Sequence, residues 1–201
     1  MSADSKIEWT DHTFNVVWGC EKVSPACDRC YAEAWAKRAG FSLWGKGGER
    51  RVLSADHWRA PMKWNAAAQK AGKVARVFCS SMADVFEDHP TVSEQRARLW
   101  PIVAATPWLQ WLLLTKRPEN VRGMVPPAWL DSWPVNVLPG FTAENQEWFD
   151  RRHADVARSH VQWFVSYEPA LGPIDFHGFW QIRWLIVGGE SGGGARPMML
   201  G

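Results

Sequence analysis

Three of the four cysteines, Cys20, Cys27 and Cys30, fall within eleven residues in a C-x6-C-x2-C spacing, with Tyr31 next. A structural zinc site uses four ligands in two paired motifs. Only one CxxC pair is present, so zinc would have to recruit Cys79 or a histidine such as His12, His57 or His89. A [4Fe–4S] cluster has four irons, and thiolates usually bind each one. Three cysteines therefore leave one iron open to a small molecule, which is what S-adenosylmethionine-cleaving chemistry requires. The odd ligand count favours the cluster over zinc, with cysteines that bind nothing as the remaining alternative. Cys79 sits in an apolar run and reads as core. The first ten residues are polar and lack the apolar segment of a signal peptide, which points to a reducing cytoplasm with few disulfides. A helix N-terminus near Cys30 would favour thiolates or an anionic cluster.

The elements that must position these thiols alternate. Apolar runs at Phe14–Trp18, Val74–Cys79, Leu109–Leu114, Val135–Phe141, Gln162–Val165 and Arg183–Val187 read as strands. Helical patterns fit at Cys27–Ala39, at Ser93–Ala105 with Ser93 as cap, and at Glu144–Ser159. In the last of these, acids come early and Arg151, Arg152 and Arg158 late, matching the helix dipole. Such alternation predicts an α/β fold with a parallel sheet, either doubly wound or closing toward a barrel. Just past the strand ends lie Ser80, Ser81, Thr115, Lys116, Thr142, Ser166, Glu168 and Glu190. That rim is where α/β folds build sites.

With 201 residues, 46% apolar and 22% charged, one domain spanning 1–201 with a sizeable core is expected, and global disorder is excluded. A net charge of +2 excludes a wholly electrostatic nucleic-acid binder. No apolar run approaches the ~18 residues of a membrane span. Fifteen tryptophans against two tyrosines are more than a dry core needs. An excursion at about 41–75 interrupts the alternation. Its basic part, Lys46 to Arg76, holds eight Lys or Arg and two acids, together with Trp58 and Trp64. Arg50, Arg51, Arg59 and Lys63 could grip a phosphate backbone while the tryptophans stack bases. The competing reading is a solvated surface excursion.

The stretch from Phe14-Asn15 to Gly19-Cys20, with Val23-Ser24-Pro25, Cys27 and Cys30-Tyr31-Ala32-Glu33, resembles the three-Cys-motif family called phage Gp37/Gp68-like proteins. The likeness continues through Ser81-Met82-Ala83-Asp84-Val85-Phe86, Leu114-Thr115-Lys116-Arg117-Pro118, Thr142-Ala143-Glu144-Asn145-Gln146, Glu168-Pro169 and Val187-Gly188-Gly189-Glu190. It runs from about Ile7 to Pro197. That family looks like a distant branch of the radical S-adenosylmethionine enzymes, near the spore-photoproduct-lyase group. The resemblance implies a partial (β/α)6 TIM barrel, a [4Fe–4S] cluster on Cys20, Cys27 and Cys30, and S-adenosylmethionine at the rim.

By the same resemblance Ser80, Ser81 and Asp84 would meet the methionyl amine, and Thr115 and Lys116 its carboxylate or the ribose. Asn145 would bind ribose hydroxyls beside Glu144, which reads more readily as a helix first turn. Ser166 and Glu168 would face the barrel mouth. The bland alternatives are a helix cap for Asp84, an ion pair for Lys116 and a turn for Glu190. A reductant of flavodoxin or ferredoxin type is implied, and the substrate expected is nucleic acid or a nucleotide. The other class of function is a non-catalytic module, stabilised by zinc or a cluster, that binds nucleic acid. Two departures stand out. The first cysteine gap is six residues where radical enzymes have three. The chain also ends at Gly201, short of the family's further helix and strand, which would leave the last strand's outer face bare or suit a partner subunit.

Overall fold

The computed structural model describes residues 5–157, 159–178, 180–192 and 194–200. Strands β1 (His12–Phe14), β4 (Ala75–Cys79), β5 (Leu109–Thr115), β6 (Val137–Thr142), β7 (Trp163–Tyr167) and β8 (Ile182–Val187) form one six-stranded sheet. The sheet is parallel throughout and ordered as the chain runs, β1-β4-β5-β6-β7-β8. Helices α2 (Ala55–Ala71), α3 (Pro90–Ala105), the short pair α4 (Pro118–Met124) and α5 (Pro127–Asp131), and α6 (Gln146–Val156) make the crossovers from β1 to β7. Among the described residues no helix separates β7 from β8. The edge strands β1 and β8 do not pair, so no barrel closes.

The two faces of the sheet carry separate cores. Val77, Leu109, Trp111, Leu113, Phe141 and Val165 belong to the large cluster that also takes in α2, α3 and α6 residues. Leu112, Phe164 and Ile186 face the other way, packed with Trp9, Leu138 and Trp184. The Trp9 ring lies 4.7 Å from Phe78 on β4 and 6.2 Å from Trp184 on β8. In a flat sheet those strands, four ladder steps apart, would stand about 19 Å from each other. The sheet therefore curls around Trp9, and its rim faces a common centre. Gly140 on β6 permits the curl, because a Cβ there would overlap the Phe164 ring.

Five of the six apolar runs are strands within two residues of the expected bounds. The first differs. Its ladder ends at Phe14, and Val17–Trp18 (β2) pairs antiparallel with Arg51–Val52 (β3). Asn15 diverts the chain by accepting from Met82 N at 2.7 Å and donating to Ser81 Oγ. Helix α1 (Tyr31–Arg38) begins after Cys30, later than expected, and α3 begins at Pro90, where His89 rather than Ser93 is the cap. Arg158 lies outside the described residues.

The basic excursion is mostly α2, capped by Ser54 at one end and by Gly72 at φ 64° at the other. Trp58 is buried against Phe14, which removes it as a base-stacking platform, while Trp64 is half-buried and stacks on His12. Arg50 is also not at the surface. It is 5% exposed and paired with Glu87 at 2.8 Å, which removes it from any nucleic-acid face. Arg51 lies over Trp18 and Phe41, while Arg59 and Lys63 are exposed. On the outer face of β8, Leu185 and Val187 are exposed at 38% and 45%. Among the described residues no helix is long and apolar enough to cross a membrane.

Candidate functional site

At the C-terminal rim of the curled sheet lies a cavity of about 420 Å³. Cys20, Cys27 and Cys30 line it together with Ser81, Lys116 and Glu168. The volume falls within the roughly 300–1,000 Å³ of small-molecule sites. The cysteine loop leaves β2 through Gly19, where a φ of 111° and the 2.5 Å that would separate a Cβ from Leu43 O exclude a side chain. Between there and α1 the only regular element is the 3₁₀ turn Pro25–Cys27. Irregular backbone must find its hydrogen bonds elsewhere. Glu21 O accepts from Arg117 at 2.7 Å, and Glu21 N donates to Glu87 at 2.9 Å. Ala26 N donates to Glu144 at 3.3 Å, and Pro25 O accepts from Arg196 at 2.8 Å.

The groups that hold the loop form buried charge networks. Asp84 accepts from Thr115 Oγ1 (2.8 Å), Lys116 N (3.0 Å), Phe86 N (3.0 Å) and Arg117 Nη1 (3.0 Å). Arg117 Nη1 also lies 3.7 Å from Cys20 Sγ. Arg152 pairs with Glu144 at 2.6 Å and donates to Thr142 O and Lys116 O. Burial pushes the Cys20 thiol up to about 12; Asp84 adds to the rise and Arg117 opposes it. Burial likewise raises the Glu168 carboxyl above 4.5, against the Ser166 hydroxyl that donates to it at 3.3 Å.

The rim residues named from sequence divide into two groups. Asp84 and Thr115 are saturated by each other, Arg117 and the β5 backbone, so Asp84 neither caps a helix nor offers a free carboxylate. Asn145 caps α6 by accepting from Trp148 N at 3.1 Å. Glu144 is not a first-turn residue but a wholly buried anion. Glu190 borders the cavity, yet Arg196 takes both its oxygens and holds it below the usual carboxylate range. Lys116, Ser80, Ser81, Ser166 and Glu168 remain facing the cavity. Lys116 Nζ has no ion-pair or hydrogen-bond partner among the described residues, and the buried Thr142 hydroxyl beside it has none either. Sequence reasoning gave no site role to Arg117, Glu87, Arg196 or Asn15, and read Arg152 only as a match to the helix dipole. The signal for Arg117 was its place beside Lys116 in the Leu114-Thr115-Lys116-Arg117-Pro118 motif.

The donor set can be tested against the two metal readings. Among the described residues no group of three or more His, Cys, Asp or Glu side chains is gathered to hold a metal ion. Zinc, with Zn–S bonds of about 2.3 Å in a tetrahedron, needs sulfurs roughly 3.8 Å apart and a fourth ligand. The four proposed fourth ligands are all engaged elsewhere. Cys79 is buried in β4, His57 Nε2 pairs with Asn15 O, His89 caps α3 and His12 stacks on Trp64. Cys20, Cys27 and Cys30 nevertheless line one cavity with Lys116 and the unpartnered Thr142 hydroxyl, and three thiols with no fourth donor are the set that a cluster with one open iron would take.

Comparison with solved structures finds spore photoproduct lyase. A double mutant with bound AdoMet and dinucleoside spore photoproduct superposes with a TM-score of 0.57 at 17% identity, covering 86% of this chain and 49% of that one. The lyase complexed with dinucleoside spore photoproduct gives 0.56 at 18%, covering 83% and 47%. This chain thus spans about half the length of those lyases and shares their fold. No curated protein matches the sequence. The family model that matches does not carry the phage Gp37/Gp68 name. It covers residues 4–200, and the chain belongs to the family described as protein of unknown function DUF5131.

Proposed function

We propose that this protein binds a [4Fe–4S] cluster through Cys20, Cys27 and Cys30 and S-adenosylmethionine in the adjoining cavity, and is a radical enzyme on a partial (β/α)6 barrel. The observation that carries the reading is that the three thiols share one cavity with the unpaired Lys116 cation and the Glu168 carboxyl. When bound, the cluster and S-adenosylmethionine supply reductive C–S cleavage and a carbon radical for hydrogen abstraction. Lys116 Nζ binds the methionyl carboxylate. Ser81 Oγ, which already accepts from Asn15, has its hydrogen free to donate to the same carboxylate. Glu168, whose carboxyl burial pushes above the ordinary carboxylate range, accepts from the Ser166 hydroxyl and orients hydroxyls of ligand or substrate. The apolar wall of Trp9, Phe78 and Leu114 excludes water. Nucleic acid or a nucleotide is the substrate class. It is supported by the lyases of this fold that bind a dinucleoside photoproduct and by exposed Arg59 and Lys63 on α2. A low-potential flavodoxin or ferredoxin supplies the electron.

Oxygen-free reconstitution with iron and sulfide, followed by dithionite and S-adenosylmethionine, tests this. Four irons per chain and formation of 5′-deoxyadenosine are expected. Iron-free, colourless protein overturns the cluster, and an iron-loaded protein that never cleaves S-adenosylmethionine overturns the radical chemistry.

A further inference from the structure

We infer that Arg117 sets the reduction potential of the centre held by Cys20, through a hydrogen bond from its guanidinium to the Cys20 sulfur. This rests on the cluster reading above. Arg117 lies two residues past the end of β5, 7% exposed, where Arg117 N donates to Thr115 Oγ1 at 2.9 Å. Its Nη1 carries two hydrogens. One goes to Asp84 Oδ2 at 3.0 Å, and the other is within reach of Cys20 Sγ at 3.7 Å. Nη2 donates to Glu21 O, the residue after that cysteine. One guanidinium therefore fixes both the backbone and the sulfur of the first ligand.

The charges around it decide what this contact does. Arg117 faces Asp84 and Glu87, and Glu87 is shared with Arg50, so two guanidiniums meet two carboxylates with no net charge. The ensemble contributes little as a bare cation. What remains for the sulfur is the directed N–H. A hydrogen bond to a ligating thiolate withdraws electron density and favours the reduced, more negative cluster. Cys27 and Cys30 have no such side-chain donor among the described residues, so the effect belongs to one corner of the centre. The step concerned is the one-electron reduction of the cluster by an external low-potential donor, dithionite in the test.

The test compares wild type, R117K and R117Q as full chains reconstituted without oxygen. Iron per chain and far-UV circular dichroism establish that each is folded and loaded. The midpoint potential is then read by electron paramagnetic resonance during dithionite titration. Lysine keeps the charge against Asp84, but its shorter stem and compact ammonium do not reproduce the planar fork that reaches Asp84, Glu21 O and the sulfur together; glutamine loses the charge as well. Both variants should be harder to reduce, R117Q more so. Its reduction equilibrium should shift on the order of tenfold, about 59 mV for a one-electron couple. Unchanged potentials in loaded variants overturn the inference. So does a folded variant that takes up no iron, because Arg117 would then serve assembly. If R117Q does not fold, R117K alone decides between these outcomes. Wild type without iron overturns the cluster reading itself, and this inference with it.

Discussion

Removing Arg152 should unfold the protein more readily than its place on a surface helix suggests. Its guanidinium is 2% exposed and lies 2.6 Å from Glu144, which is fully buried. R152M leaves that carboxylate charged, buried and unpaired, a loss of about 3–5 kcal/mol. Thr142 O and Lys116 O lose their donor as well, at about 1 kcal/mol each. Against a total stability of about 5–15 kcal/mol this is a large fraction. The sum is about 5–7 kcal/mol, and at roughly 2–4 °C per kcal/mol for a chain of this size the midpoint should fall on the order of 10–28 °C. Adding E144Q to R152M removes the stranded charge while its amide oxygen still accepts from Ala26 N. The double variant should therefore melt above R152M but below wild type, since the two carbonyls stay unserved. Thermal melts and urea midpoints of the three full-length chains measure this. A single variant within about 1 kcal/mol of wild type, or a double variant no more stable than the single, refutes the argument from the buried pair.

Three further outcomes can be checked in the same material. Because burial raises the Glu168 pKa above 4.5, the stabilisation it gives as a neutral acid is present below that value and lost as pH rises through the folded pKa. E168Q cannot ionise, so its melting temperature relative to wild type should climb between pH 4 and pH 7, and a flat difference contradicts the burial argument. G140A drives a methyl into the buried Phe164 ring and should cost about 1–3 kcal/mol, partly restored by Phe164→Leu in the same chain; an unchanged melt would mean the sheet gives way there. Oxygen-free reconstitution of Cys79→Ala should retain full iron, whereas Cys20→Ala, Cys27→Ala and Cys30→Ala each lose it; iron loss in Cys79→Ala would reassign the ligand set.

The strands were legible because a parallel strand covered on both faces reads as a continuous apolar run. Leu109 to Leu114 is such a run, and its C-terminal end, Thr115-Lys116, lands on the rim where it was expected. The first strand was misjudged because its exit depends on Asn15 bonding to Ser81 and Met82, partners 66 and 67 residues away. Helix α2 was hidden by Pro61 and by basic residues that read as surface, although Ser54 and Gly72 mark its ends. The spacing singled out Cys20, Cys27 and Cys30, and the fold sets all three on one cavity. The fate of the rim polar groups was not, because whether a carboxylate is free is a property of pairing. Asp84 and Glu168 look alike in sequence. Only the fold shows Arg117 and Thr115 converging on the first and a single hydroxyl on the second.

That division explains why so many charges are buried beside a cavity that leaves Lys116 unpaired. A loop with one 3₁₀ turn between Gly19 and Cys30 cannot fix three sulfurs by its own backbone bonds. Four of its backbone N–H and C=O groups are instead held by Arg117, Glu87, Glu144 and Arg196, which reach it from the ends of three different strands and from the segment after β8. Buried ion pairs are poor sources of net stability compared with apolar packing. Their use here follows from directionality. An apolar side chain could fill the same space, but it could not say where Glu21 and Ala26 must sit, and a ligand set needs its supporting groups oriented. Arg152 joins the two halves of the site, since the guanidinium that pairs with Glu144 under the cysteine loop also holds the backbone oxygen of Lys116. Thiols and unpaired cation are thereby set on one rigid frame, the condition for a cofactor held by the first to be gripped by the second.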